Sequence, residues 1–482
     1  MNLKLIIRVL GFLIFGEGIA LLLSLFVSLL YGGSDIPAFL ITSGITLVTG
    51  GLLLIFTKKA VKDIGRREDF IIVSFSWIIF SLFGSLPYII SGSIPNFTDA
   101  FFETISGFTT TGSSILTDIE ALPHGILFWR SFTQWLGGIG IIVLSLAILP
   151  VFGIGDMHLF MAESTWLTPD KISPKIRQTA KTLWLIYISF TILETILLWI
   201  GGMTFFDAIN HSFATMATGG FSTKQASIAY WDSSFIQYIV IIFMFFGGTN
   251  FILFYILLLK GKFRAVLKDE EFKYYSFFIF GFTFLVFAGL LITTSLGIEK
   301  AFRDSLFQVV TIITTTGFAT ADYLSWTPIL TILIFALFFF GGCTGSTSGG
   351  IKIMRIVLLL KNSYYELHRM IHPNAIIPVK FNKHSVDTKL ITNILAFFMF
   401  YFFIFAFSTV IFTFFEPDIE TSMGAVASSL GNIGPGLGKV GPVENFAYIA
   451  PAGKWFLSFL MLLGRLELFT ILVLFSPSFW KN

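Results

Sequence analysis

Thr314-Thr315-Thr316-Gly317-Phe318-Ala319-Thr320 closes a short run of mixed apolar and polar residues, and versions of it recur along the chain. Thr109-Thr110-Thr111-Gly112-Ser113 is one, Ala217-Thr218-Gly219-Gly220-Phe221-Ser222-Thr223 is a second, and Gly431-Asn432-Ile433-Gly434-Pro435 is a degenerate fourth. The closing glycines, Gly112, Gly220, Gly317 and Gly434, stand about one hundred residues apart. Solenoid repeats have periods of about 20–50 residues, so the spacing implies a whole module copied four times around one axis.

The copies agree upstream as well. Asp99, Asp207 and Asp304 each lie thirteen residues before the glycine, and in the fourth copy Glu420 is one residue further back. Nine residues before it stand Glu103, His211, Gln308 and Ala425. Each copy therefore predicts an acid at the start of a short helix, then a strand-like Thr/Gly tip. An acid at a helix start caps free N–H groups and suits the positive end of the dipole, while the opposite, partly negative end points at the tip. Four such ends converging favour a cation. Backbone carbonyls of the tips can replace the water around an ion, and glycine tolerates the positive φ that turns a carbonyl inward. A single Thr/Gly run reads as an ordinary loop; four, sharing an upstream acid and set between apolar helices, predict a cation selectivity filter.

Composition places these modules in a bilayer. The chain is 55% hydrophobic and only 12% charged, with a mean hydropathy of +0.85, whereas soluble domains carry about 25% charge. A net charge of +3 gives no reason to expect a nucleic-acid partner, and the single Cys343 excludes an intramolecular disulfide. Residues 5–30 are too long an apolar segment for a signal-peptide core of about 7–15 residues and read as a span interrupted by Glu17. Residues 37–57 form a second span, followed by the basic stretch 58–69. Four modules of span, short helix, tip and span follow: 70–92, 98–108, 109–114 and 123–150; then 180–202, 204–216, 217–223 and 232–260; then 274–297, 300–313, 314–320 and 327–360; then 388–415, 418–430, 431–438 and 450–477. The expected fold class is an all-α integral membrane protein with four span–pore-helix–span repeats around a central pore plus an N-terminal helix pair. Its parts are 1–69, 70–155, 156–273, 274–387 (carrying an intramembrane loop) and 388–482.

Loops at 58–69, 156–182, 260–273 and 352–389, with the termini, hold 24 of the 31 basic residues. The positive-inside rule then puts both termini in the cytoplasm and opens the tips outward, where acids such as Asp118, Glu120, Asp232, Asp322, Glu416 and Glu444 would concentrate cations. Two stretches depart from plain spans. Gly341-Gly342-Cys343-Thr344-Gly345-Ser346-Thr347-Ser348-Gly349-Gly350-Ile351-Lys352 lies inside 327–360, which as one helix would reach about 51 Å against a bilayer core of about 30 Å. It is no phosphate loop, because the lysine position counted from Gly345 is Ile351. It is expected to break the helix and form a flexible barrier beneath the filter. The second departure is Arg465, with Glu467, inside the last span; an intramembrane charge marks a functional site by default, and residues two apart on a helix do not face each other. Arg130, Glu17 and Glu194 also fall within spans.

With these residues assembled, the chain resembles the bacterial Trk/Ktr/HKT potassium-uptake superfamily over its whole length, on the TrkH side because of the extra N-terminal pair. The resemblance implies potassium uptake across the bacterial inner membrane by a multi-pass, non-enzymatic protein. It implies a channel-like pore within each subunit of a homodimer, and a cytosolic ring of TrkA-type nucleotide-binding subunits that gates it. Membrane lipid is the other expected contact. Potassium is then the transported ion and the only bound metal, with no organic cofactor. The resemblance assigns ion binding to Thr110, Thr111, Thr218, Gly219, Thr315, Thr316, Asn432 and Ile433, with Gly112, Gly220, Gly317 and Gly434 as filter glycines. Thr109, Ala217, Thr314 and Gly431 are expected at the outer filter edge, and Gly345, Ser346, Thr347, Ser348, Gly349 and Arg465 at a gate. A Ktr-type or sodium-permeable relative and a proton-coupled symporter are the competing readings. An inverted-repeat carrier would place broken helices in two opposed halves, unlike four repeats of one topology. No paired acids, metal cluster or Ser/His set within a span suggests an intramembrane enzyme.

Overall fold

The computed structural model describes residues 2–58, 65–140, 176–372, 374–375 and 377–481. Residues 59–64 of the first basic stretch, 141–150 of the expected 123–150 span and 156–175 of the 156–182 loop lie outside the described residues.

Helices dominate, because long apolar runs in lipid must satisfy their backbone groups internally. Among the described residues, six are long and apolar enough to cross a membrane: Leu3–Tyr31, Ile36–Phe56, Arg67–Ile90, Lys181–Ile200, Glu270–Thr293 and Thr388–Phe412. The N-terminal pair packs closely where small residues let backbones approach; a Cβ built on Gly50 would lie 2.6 Å from Phe15 N. Four shorter helices precede the four tips, Phe97–Phe108, Phe205–Met216, Ile298–Ile313 and Ile419–Gly431, within a residue or two of the expected 98–108, 204–216, 300–313 and 418–430. Two cores flank the axis. One joins the first and fourth repeats through residues such as Phe102, Trp129, Leu430 and Met461. The other joins the second and third through residues such as Met244, Tyr275, Phe307 and Val310, with Ile433 of the fourth tip packed into it. Large apolar side chains including Phe277, Phe284, Phe403 and Phe414 stay exposed, as lipid-facing positions require.

Several expected single spans are broken. Residues 232–260 form Ser234–Gly247 and Phe251–Leu258, bent by 100°. Gly247 and Gly248 turn their carbonyls to the N–H groups of Thr347 (3.2 Å) and Cys343 (2.8 Å), and Asn250 caps the new helix. Residues 450–477 form Pro451–Arg465 and Phe469–Phe475, bent by 109°, because Glu467 (φ 57°) and Leu468 (φ 49°) are left-handed. The first repeat's second helix, His124–Trp135, passes into a wide five-residue turn at Leu136–Gly140. The expected break in 327–360 separates Pro328–Leu337 from Ile353–Ile371. A short antiparallel hairpin, Lys380–Phe381 with His384–Ser385, interrupts the otherwise helical chain. One acid is also displaced. Asp304 lies in the interior of its pore helix, whose first turn begins at Ile298 and carries Glu299 instead, whereas Asp99, Asp207 and Glu420 lie in first turns.

Candidate functional site

All four tips share one backbone. The second residue of each tip is left-handed: Thr110 (φ 53°), Thr218 (54°), Thr315 (56°) and Asn432 (53°). The closing glycines are left-handed too: Gly112 (86°), Gly220 (76°), Gly317 (81°) and Gly434 (104°). No strand forms at the expected strand-like tips; two left-handed residues separated by one other replace it. Threonine at positive φ is a genuine outlier and costs on the order of 1–3 kcal/mol per residue. Helix-capping bonds hold it. The N–H groups of Thr111, Gly219, Thr316 and Ile433 donate to Ser106 O (2.9 Å), Ala214 O (2.8 Å), Thr311 O (2.8 Å) and Ser428 O (3.0 Å). This is the bond of a Schellman helix end, repeated four times with Thr or Asn where glycine is usual.

The tips close into a ring. A Cβ built on Gly112 would lie 2.2 Å from Gly219 O, one on Gly220 2.0 Å from Thr316 O, one on Gly317 2.1 Å from Ile433 O, and one on Gly434 2.9 Å from Thr111 O. Each closing glycine thus sits against the carbonyl that precedes the next repeat's closing glycine, and the fourth returns to the first. Thr109, Ala217 and Thr314 are the C-caps of their pore helices, and Gly431 ends the fourth helix. These four, expected at the outer edge, instead lie at the base of the tips. A filter chain leaves the pore helix at its buried C-terminus, so its first residue is its deepest.

Behind the ring, each repeat is braced differently. In repeats one and three hydroxyls pair within the tip, Thr109 with Thr111 and Thr314 with Thr316, both at 2.8 Å. The Asn432 carboxamide donates to Thr111 Oγ1 (2.9 Å) and Met461 O (2.8 Å). The position nine residues before each glycine braces the chain beyond the tip. Glu103 accepts from Ile115 N (2.9 Å) and Ser114 Oγ (3.0 Å), His211 Nε2 meets Ser222 Oγ (2.9 Å), and Gln308 donates to Ala321 O (3.1 Å). Ala425 has no polar atom to do so, and Ser113 and Ser428 hydroxyls donate to Gly434 O instead, at 3.0 and 2.7 Å. Arg130 pairs with Glu103 at 2.6 Å, donates to Ser222 O at 2.8 Å and stacks 3.8 Å above the Phe221 ring. Gln134 donates to Gly219 O at 2.6 Å and accepts from Phe221 N at 3.0 Å. The sequence flagged Arg130 only as a charge in a span and passed over Gln134; a polar residue in an apolar span was the available signal.

Beneath the tips lies the 341–352 loop. Thr347 Oγ1 donates to Met216 O (2.9 Å), and Gly349 N donates to Thr315 Oγ1 (2.7 Å). A Cβ on Gly349 would stand 2.6 Å from Gly431 O. Ser346 and Ser348 hydroxyls meet at 2.8 Å, Gly345 (φ 74°) is left-handed and accepts through its carbonyl from Phe251 N at 3.2 Å, and Lys352 Nζ donates to Ser348 O. Arg465 donates to Thr347 O (2.8 Å), Gly137 O (2.6 Å) and Gly138 O (2.8 Å). Glu467 turns away to Arg355, at 2.6 Å, so it is not the partner of Arg465. Glu17 lies at the back of the first pore helix, its Oε1 3.0 Å from where a Cβ on Gly84 would stand.

Known proteins share this architecture. The TrkH family, described as cation transport protein, matches residues 35–482. The chain is 38% identical over 484 residues to Trk system potassium uptake protein TrkH of Halomonas elongata, and 40% identical over 492 residues to that of Escherichia coli K12, with all of both chains covered in each case. The crystal structure of the potassium transporter TrkH from Vibrio parahaemolyticus superimposes with a TM-score of 0.90 at 37% identity, again covering all of both chains.

Proposed function

Because the chain belongs to the TrkH family of cation transport proteins, we propose that it takes up potassium across a bacterial inner membrane through a pore at the centre of its four repeats. It is a transporter and not an enzyme. The observation that carries the reading is the cyclic contact of Gly112, Gly220, Gly317 and Gly434 with the carbonyls of Gly219, Thr316, Ile433 and Thr111. Four carbonyl-bearing tips closed on one another form a cage of fixed dipoles that substitutes for water around a dehydrated cation. Four pore-helix C-termini aimed at its base add negative potential. The ion-binding set is Thr110, Thr111, Thr218, Gly219, Thr315, Thr316, Asn432 and Ile433.

Under this reading the loop, through Gly345, Ser346, Thr347, Ser348 and Gly349, shuts the pore below the filter, and Arg465 pins it there while repelling cations. A cytosolic TrkA-type subunit releases that clasp from the cytoplasmic side, where both termini lie, and the transporter works as a homodimer. The test is flux in proteoliposomes, comparing potassium, rubidium and sodium for the wild type, Gly112→Ser and Gly317→Ser. A serine at either position meets a backbone oxygen near 2 Å in a left-handed conformation, so the folded variants should admit sodium or lose potassium flux. Unchanged potassium preference in both would overturn the filter. Sodium flux equal to potassium in the wild type would favour the sodium-permeable relative, and flux that follows an imposed proton gradient would favour a symporter.

A further inference from the structure

Tip two is built differently from its neighbours. Where repeats one and three carry the hydroxyl pairs Thr109/Thr111 and Thr314/Thr316, repeat two has Ala217 and Gly219, which bear no side-chain oxygen. It also holds the only Gly-Gly pair among the four tips, Gly219-Gly220. A peptide between two glycines has the widest conformational freedom available to a chain, and it sits here between the left-handed Thr218 and the left-handed Gly220. Left alone, this peptide is the one in the ring most able to rotate.

Gln134 holds it from both sides. The residue belongs to His124–Trp135 of the first repeat and is fully buried. Its Nε2 donates to Gly219 O at 2.6 Å, within the Gly-Gly peptide, and its Oε1 accepts from Phe221 N at 3.0 Å, just beyond it. The carboxamide occupies the room of a side chain at Gly219, because a Cβ there would lie 2.5 Å from Gln134 Cδ. Gly219 O is also the carbonyl against which Gly112 of repeat one packs. One amide thus fixes the joint between two repeats.

We propose that Gln134 is a specificity-determining positioning residue: it supplies across repeats the clamp that threonine hydroxyls supply within tips one and three, locks the Gly219–Gly220 peptide, and so sets the discrimination of potassium from sodium. The proposal rests on the filter reading. Its test is the same proteoliposome flux assay on full-length protein with Gln134→Met, which keeps the volume and removes both bonds, and Gln134→Glu, which keeps the shape and the acceptor for Phe221 N–H but loses the donor to Gly219 O. Gly112→Ser serves as the filter control. Both Gln134 variants should lower the potassium-over-sodium flux ratio by about tenfold, the scale of one or two net hydrogen bonds. A purely structural role would lower yield or thermal stability and leave the ratio unmoved. If Gln134→Met does not fold, Gln134→Glu decides alone. An unchanged ratio in the Gln134 variants beside a degraded ratio in Gly112→Ser overturns the proposal and leaves the filter standing. An unchanged ratio in all three overturns the filter, and the proposal with it.

Discussion

The Glu103–Arg130 pair offers the clearest energetic test of how the ring is held. Both side chains are sealed from solvent, at 0% and 3% exposure, and they meet at 2.6 Å. Glu103 also receives Ile115 N and Ser114 Oγ beyond tip one, while Arg130 reaches Ser222 O and the Phe221 ring beyond tip two. Removing either partner strands the other charge in a low-dielectric site, which costs about 3–5 kcal/mol, whereas removing both together leaves no buried charge and costs far less. Arg130→Met and Glu103→Gln should therefore each destabilise by about 3–5 kcal/mol, and the double variant should be more stable than either single one. The carboxamide introduced by Glu103→Gln would still accept from Ile115 N–H, which keeps part of the tip-one brace. Arg130→Lys should cost less than Arg130→Met, because an ammonium still offsets the Glu103 charge, but it should remain destabilising, since it cannot reproduce a fork that reaches two acceptors and lies flat on an aromatic ring. The assay is the midpoint of thermal unfolding of purified protein in detergent, read with the flux ratio. The reasoning fails if the two single losses simply add in the double variant, or if each stays within the roughly 0.5 kcal/mol of an ordinary surface change.

Other outcomes follow from the same geometry. Arg465→Ala removes the donors to Thr347 O, Gly137 O and Gly138 O; each charge-assisted bond contributes about 1.5–3 kcal/mol, so basal potassium flux without a regulatory subunit should rise on the order of tenfold or more. Deleting Gly345–Gly349 should do the same with a smaller change in selectivity, and wild-type basal flux in both folded variants would move the gate to the cytoplasmic ends of the helices. On the basic 352–389 segment, Lys361 is engaged by Glu270 and Lys380 O, and Arg369 by Glu366 and Ile377 O, while Lys380 and Lys383 stay exposed. Lys380→Gln with Lys383→Gln should weaken co-purification of a TrkA-type subunit and leave insertion intact; retention at full strength, with weaker binding to anionic vesicles at about 1 kcal/mol per residue, would assign these lysines to lipid.

Much of this was legible because the informative residues are those that constrain the backbone. Glycines at Gly112, Gly220, Gly317 and Gly434 sit where only small residues fit the ring, and the repeated pattern of acid, short helix and Thr/Gly tip placed the four pore helices to within about two residues. What stayed hidden depends on neighbours. The breaks at Gly247–Asn250 and after Arg465 lie in runs whose apolar composition continues on both sides, so hydropathy reads straight through them. Gly247-Gly248-Thr249-Asn250 did contain turn residues, but nothing local marks Glu467 and Leu468 as left-handed. Asp304 was aligned by its distance from Gly317, yet the third pore helix starts earlier than the others, and spacing counted from one end says nothing about the other. Gln134 was passed over because its partners lie 85 and 87 residues away, and sequence spacing carries no information about a contact between repeats.

The four repeats are thus alike in backbone and unlike in support, and that difference bears on how a pore of this kind can be switched. A ring braced identically in every repeat would respond to a push from below as a whole or not at all. Here the loop reaches repeat two through Thr347 to Met216 O, repeat three through Gly349 to Thr315 Oγ1, and repeat four where Gly349 faces Gly431 O. Arg465 of repeat four then ties the same loop to the helix break at Gly137 and Gly138 of repeat one. Loop and guanidinium together touch all four repeats at the level where their second helices bend. The tips themselves are held from the other side, by Gln134, Asn432 and the Glu103–Arg130 pair, with partners outside the loop. The loop also bonds tip residues directly, Gly349 N to Thr315 Oγ1 at 2.7 Å and Thr218 Oγ1 to Thr347 Oγ1 at 3.4 Å, but the braces made by Gln134, Asn432 and the Glu103–Arg130 pair do not run through it. Under the proposed gating, substitutions at Arg465 should therefore change chiefly how much ion passes, and substitutions at Gln134 chiefly which ion passes.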